Sequence, residues 1–255
     1  MPTRTKASPW NVARPRHLVV FVLAAAALAF AENASAATFR ITTLLYEGAA
    51  IQPAAEHRIL FDQGLIYDLP QKDSRFVTVY DPAQGSITLL DRTTKVQATI
   101  DIDGLTRAAA LARAAADTKQ KEDLLGLNAQ VTDSTRVIGY SISYGKLEYE
   151  TTTQQPPDPK MATDFGRFTI LSSQLNIVRR FGPPAFGKMT LYEHISRRGE
   201  LPLELTLTVN QRDAVQTFRA THKLERLMDS DRTMIREVRA MMDLYKDVDF
   251  EKFPR

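Results

Sequence analysis

From Arg75 to Asp103 the chain reads RFVTVYDPAQGSITLLDRTTKVQATIDID, with apolar residues recurring at every second position between short polar turns. Alternation of this kind puts successive side chains on opposite faces of a strand, so it requires a sheet with one face buried. In DPAQG, Asp81 and Pro82 stand where a type I turn wants them, and Gly85 is free to take the positive φ that closes a hairpin. DRTTK turns the chain again, after which Val96, Ala98, Ile100 and Ile102 share one face and Gln97, Thr99 and Asp101 the other. Up to Asp103 the pattern predicts an antiparallel meander. Upstream, Phe39, Ile41, Thr43 and Leu45 share a parity. In HRILFDQGLIYDLP, Ile59, Phe61, Leu65, Tyr67 and Leu69 do the same opposite Arg58, Asp62 and Asp68, which reads as one strand stopped by Pro70.

Beyond Asp103 the period lengthens. Leu105, Ala108, Ala109, Leu111, Ala112, Ala115 and Ala116 recur at helical spacing, predicting an alanine-rich helix that runs, with room for a break, to about Asn128. Ile138, Tyr140, Ile142 and Tyr144 return to strand spacing, and TTTQQPPDPK reads as a polar, proline-rich loop. A second helix is expected from about Ala162 to Arg180, ending before FGPPAFG. Leu203, Leu205, Leu207 and Val209 form a strand that pairs across NQRD with Ala214 to Leu224. In the last helix Met234, Ile235, Val238, Met241, Met242 and Tyr245 make one apolar stripe, with Asp229, Ser230 and Asp231 at its start. The expected fold class is α+β, a curved antiparallel sheet of at least seven strands packed on two or three helices.

The first 36 residues are set apart. Arg4, Lys6, Arg14 and Arg16 precede an apolar run from Leu18 to Phe30, followed by the small residues Ala34, Ser35 and Ala36. This order predicts a secretory signal cleaved near Ala36, since a spanning helix needs about 20 apolar residues. The expectation is a single exported domain, 37–255, periplasmic or extracellular in a bacterium, with no later transmembrane segment. Removing the leader takes four of the 33 basic and one of the 30 acidic residues, leaving 29 of each. A basic, nucleic-acid-binding reading thereby loses its support. Cysteine is absent, which excludes disulfides, an N-terminal lipidated cysteine, thiol nucleophiles and thiolate metal sites.

Chemistry-bearing motifs are scarce. His57, His194 and His222 are isolated in sequence, without the spacings of a metal site, and His222 shares a strand parity with Phe218 and Leu224 as a core or rim residue would. Asp101 and Asp103 share a strand face but read as a solvated strand end before a helix. GYSISYG places Ser141 and Ser143 inside a strand pattern, not on a nucleophile turn. No cofactor motif is present, and the chain reads as non-enzymatic. The positive signal is apolar: Met228, Met234, Met241 and Met242, four of seven methionines, cluster around the last helix, and thioethers suit surfaces that meet variable apolar partners.

The run ILFDQGLIYDLPQKDSRFVTVYDPAQGSITLLDRTTKVQATI resembles the strand meander of the bacterial lipoprotein-carrier (LolA/LolB-like) family, and the signal peptide agrees. The resemblance spans roughly Arg58 to Asn128 and departs from the family at the start, where this chain opens with a strand instead of a helix. It implies a half-open barrel with helices as a lid over an apolar cavity that takes acyl chains, and hence a lipid or acylated protein as partner. Leu65, Tyr67, Ile100, Val238, Met241 and Met242 are the residues expected to line that cavity. Two other readings stand beside it: a structural or protein-interaction module of the envelope with a filled core, and a hydrolase, which would need clustered polar groups with shifted pKa values in a cleft.

Overall fold

The computed structural model describes residues 37–182, 185–211 and 214–254. The predicted leader, residues 1–36, lies outside the described residues. Contacts group Ala36–Arg255 into one compact unit. The chain enters mid-sheet with β1 (Phe39–Glu47) and meanders outward through β2 (Ala55–Asp62), β3 (Leu65–Pro70), β4 (Phe76–Asp81), β5 (Ser86–Asp91) and β6 (Val96–Asp101). Two helices follow, α1 (Ile102–Ala114) and α2 (Lys119–Leu125). The other half of the sheet is then laid down from its far edge inward. It comprises β7 (Thr132–Asp133), β8 (Gly139–Tyr144), β9 (Leu147–Gln154), the helices α3 (Pro159–Arg179) and α4 (Phe186–Arg197), then β10 (Leu201–Asn210) and β11 (Val215–Glu225). Helix α5 (Asp229–Leu244) leads to the short β12 (Lys246–Asp247).

The result is a 12-stranded open sheet ordered β12-β6-β5-β4-β3-β2-β1-β11-β10-β9-β8-β7. The fold is α+β. All pairings are antiparallel except β12 beside β6. The halves join where β1 pairs with β11, from Arg40 opposite Glu225 to Glu47 opposite Phe218.

Local chemistry explains most of these elements. The Asp81 carboxylate accepts the Ala83 and Gln84 amides at 3.1 and 2.9 Å, and Gly85 takes φ 65°, so the β4–β5 turn forms as its residues predict. The Asp101 carboxylate caps α1 by accepting the Asp103 and Gly104 amides, and the alanine-rich helix does break, after Ala114.

Other segments depart from the sequence reading. The expected single strand through Leu69 is a hairpin: Gln63 and Gly64 adopt φ of 53° and 83°, a two-residue turn of the kind that needs positive φ twice. That turn reverses the parity. Phe61 faces Ile66 across the ladder and Leu60 faces Tyr67, so Ile59, Phe61 and Ile66 share one side while Leu60, Tyr67 and Leu69 take the other. Thr151–Thr153, read as loop, belong to β9, and the buried Thr151 hydroxyl donates to the Glu204 carbonyl at 2.7 Å. Helix α4 had no counterpart in the sequence reading.

The sheet carries a core on each face. On the inner face α3 packs against both α1 and α4, and Ser196 Oγ on α4 donates to the Ala162 carbonyl on α3 at 3.2 Å. Phe39 and Phe61 stack at 4.1 Å, with Phe165 and Phe168 of α3 set edge-on to Phe61. On the outer face, α5 lays Ile235 and Val238 on Leu60, Tyr67, Leu69, Val77, Val79 and Leu90. Each such side chain removed from water contributes about 1.5–3 kcal/mol.

Charge fixes where α5 starts. The buried Asp231 carboxylate accepts the Met228 amide at 2.8 Å, and Arg40 Nη1 at 3.1 Å and Arg58 Nη1 at 3.6 Å lie against it. Met228 is the N-cap residue, and the Asp-Ser-Asp run forms the first turn, where Asp231 makes the capping hydrogen bond and Asp229 and Asp231 supply the expected charge. At the other end Gln97 Nε2 donates to the Met242 carbonyl at 3.0 Å. No helix among the described residues is long and apolar enough to cross a membrane.

Candidate ligand pocket

The six residues expected to line a cavity are not brought together. Ile100 packs on the inner core, whereas Leu65, Tyr67, Val238, Met241 and Met242 belong to the outer one. Val238 is 0 % exposed and Tyr67 0 % exposed, so α5 is packed onto the sheet here. None of the six lines either of the pockets described next. The physical reason is the β2–β3 hairpin turn, which sends Leu65 and Tyr67 to the face opposite Ile59 and Phe61.

Two adjoining pockets lie on the inner face, whereas a wider depression of about 470 Å³ against Leu203, Thr221 and Lys223 has no helix over it. A pocket of about 420 Å³ sits between β1–β4, the inward side of α3 and β11, walled by Ile59, Tyr80, Phe165, Phe168 and Leu175. A second, of about 300 Å³, lies beside it against Leu207, Phe218, Phe181 and Ala55. They are contiguous, sharing Leu45, Asn176, Lys188, Leu205 and Ala220. Lys188 reaches this junction because α4 begins tight against β8. A Cβ on Gly187 would fall 2.0 Å from Tyr144 Cε1, so only glycine lets the first turn of α4 seat there.

Several polar groups line this space, among them His222, the His57–Asp68 pair, Lys188, Arg179 and Arg219. His222 is 6 % exposed, its Nδ1 lies 2.9 Å from Thr43 Oγ1, and its Nε2 has no partner. Burial and the nearby Lys188 charge push its pKa down to about 3, so the ring is neutral at ordinary pH. His57 Nδ1 meets Asp68 Oδ1 at 2.7 Å. Burial works against the charged imidazole, but the Asp68 bond and charge outweigh it and raise its pKa. Lys188 on α4 is half-buried, its Nζ 5.6 Å from the Tyr192 ring centroid. Burial lowers its pKa, and no carboxylate opposes that shift.

The arrangement is suited to holding an amphipathic molecule: apolar walls, the Lys188 ammonium, the Arg179 and Arg219 guanidinium groups toward the margins, and a few hydrogen-bonding groups. A general base acting on a side-chain hydroxyl would hold it on the free imidazole nitrogen. Among the described residues the imidazole that meets a hydroxyl is His222, with Thr43 Oγ1 2.9 Å from its Nδ1 and no carboxylate on its Nε2, whereas the carboxylate-bonded imidazole is His57. No group of three His, Cys, Asp or Glu among the described residues is arranged to hold a metal ion. Ser141 hydrogen-bonds Thr132 across the β7–β8 pair, and His194 lies edge-on to Tyr140, so neither belongs to the pocket. Compared with known proteins, the chain matches no protein-family model and no curated protein sequence.

The sequence reading of His222 as a core or rim residue agrees with its burial, but nothing in the sequence brought the residues of this pocket together. His57 and Asp68 come from adjacent strands, Lys188 from α4 and His222 from β11. The reversed parity of Asp68 was hidden by the unrecognised turn, and Lys188 sits in a helix that carried no clear period.

Proposed function

We propose that the protein is an exported cell-envelope protein that binds a hydrophobic or acyl ligand, a lipid or the acyl chain of a lipidated protein, between its sheet and the helices α3 and α4. In this reading the sheet is the half-open barrel of a lipoprotein-carrier-like fold, and α3 and α4 are its lid. The observation that carries it is the pair of contiguous inner-face pockets, about 420 and 300 Å³. Both fall at the lower end of the range for small-molecule sites, and their walls are mainly aliphatic and aromatic. An alkyl chain gains about 0.8 kcal/mol for each methylene it buries there. The balanced charge of residues 37–255 gives no electrostatic reason to invoke nucleic acid.

The test is direct. The purified protein is titrated with the neutral fluorophore N-phenyl-1-naphthylamine, and co-purifying lipid is sought by native mass spectrometry. Saturable binding at micromolar concentration, weakened tenfold or more by Asn176→Trp at the junction of the two pockets, is the expected result. Absence of saturable binding to the wild type overturns the proposal.

A further inference from the structure

Resting on the pocket reading above, we infer that the Lys188 ammonium is the anchor for the anionic head of an amphipathic ligand, a carboxylate or a phosphate monoester on an alkyl chain. Lys188 stands at the junction shared by the two pockets, where a head group can lie with its chain running along Phe165, Phe168 and Leu175.

The charges around it leave this cation unanswered. Asp68, the acid of the larger pocket, is engaged by His57 at 2.7 Å. Glu47 lines the smaller pocket, yet no ion pair joins it to Lys188 among the described residues. An ammonium drawn out of water without a counter-ion is costly, and a bound anion removes most of that cost. The lowered pKa of the amine agrees, because desolvation is its cause.

His222 completes the case. It is almost fully buried, lines the larger pocket and stays neutral, so it adds no competing demand for the anion's charge. If the Thr43 hydroxyl donates to Nδ1, the unpartnered Nε2 carries the proton and is a donor. Asn176, also at the junction, supplies an amide beside Lys188.

The experiment is displacement of N-phenyl-1-naphthylamine at neutral pH by dodecanol, laurate and dodecyl phosphate, each below its aggregation limit. With wild type, at least one of the two anions is expected to compete about tenfold or more better than dodecanol, the scale of a charge-assisted hydrogen bond. The stronger of the two identifies the head. Lys188→Met is expected to erase that preference while leaving dodecanol competition unchanged, and Lys188→Arg to retain it. A lysine that only supports the fold would shift all three competitors together. Equal competition by the three ligands with wild type, or a preference that survives in Lys188→Met, overturns the inference while the pocket reading stands. Arg179 and Arg219 also line the pockets, so the preference is assigned to Lys188 by its substitution, and Lys188→Gln takes the place of Lys188→Met if the latter fails to fold. Failure of the fluorophore to bind at all overturns the pocket reading instead, and the inference with it.

Discussion

The two faces of one sheet carry amphipathic helices and come out differently. On the outer face α5 presents a sharp stripe, and the stripe closes on the sheet: Ile235 and Val238 are 3 % and 0 % exposed. On the inner face α3 and α4 bury Phe165, Leu175 and Tyr192 yet leave two pockets against the same strands. The difference is one of fit, not of hydrophobicity. A single helix can settle until its ridge touches the strands, and the Asp231 cluster with Arg40 and Arg58 holds it down. Helices α3 and α4 also pack on each other, and α3 on α1, so their distance from the sheet is set in part by contacts the sheet does not make. A clean apolar stripe therefore marks burial, whereas vacancy arises where several constraints meet.

The contrast can be broken hardest at the outer anchor. Asp231→Ala strands the Arg58 guanidinium, leaves Arg40 with Glu225 alone and uncaps α5, and is expected to lower unfolding free energy by about 3 kcal/mol in urea. Fluorophore affinity per folded molecule should not change, because the anchor lies across the sheet from the pocket. Packing separates the faces next. Ile235→Ala on the outer face should cost about 3 kcal/mol. Leu45→Ala at the pocket junction should cost less than about 1 kcal/mol, since Leu45 is already 37 % exposed. Similar losses at the two sites would erase the distinction.

Acid gives an effect much smaller than loss of the outer anchor. The Glu225 carboxyl is hydrogen-bonded by Arg40, Lys223 and Thr42, which lower its pKa from 4.5 to about 2 against the opposing pull of burial. Its folded pKa is depressed, so the stabilisation is complete above about pH 4.5 and is lost as pH falls toward 2. Because Glu225 is partly exposed and solvent screens it, the loss should be about 1 kcal/mol. Glu225→Gln should flatten that part of the stability–pH curve, measured by urea unfolding at each pH.

Legibility followed the range of the interactions. The β4–β6 meander, the β10–β11 pair and the α5 stripe were plain in sequence because each is decided within about a dozen residues, by turn chemistry or by a single period. The Gln63–Gly64 turn was not. A two-residue turn preserves the spacing of Phe61 and Leu65 in sequence while sending them to opposite faces, so odd-position counting ran straight through it. Thr151 reads as loop because the Glu204 carbonyl that its hydroxyl meets at 2.7 Å lies on β10, far away in sequence. The pocket was illegible for the same reason on a larger scale: Thr43, His57, Lys188 and His222 meet only after β11 has paired with β1.

One titration tests the central claim, that binding belongs to the inner face and the Met-rich outer face is plain core. N-phenyl-1-naphthylamine affinity is measured for wild type, Asn176→Trp and Met241→Ala, each corrected for its folded fraction. The account predicts a loss of tenfold or more for Asn176→Trp and no change for Met241→Ala. Weakened binding in Met241→Ala with Asn176→Trp unaffected would contradict it.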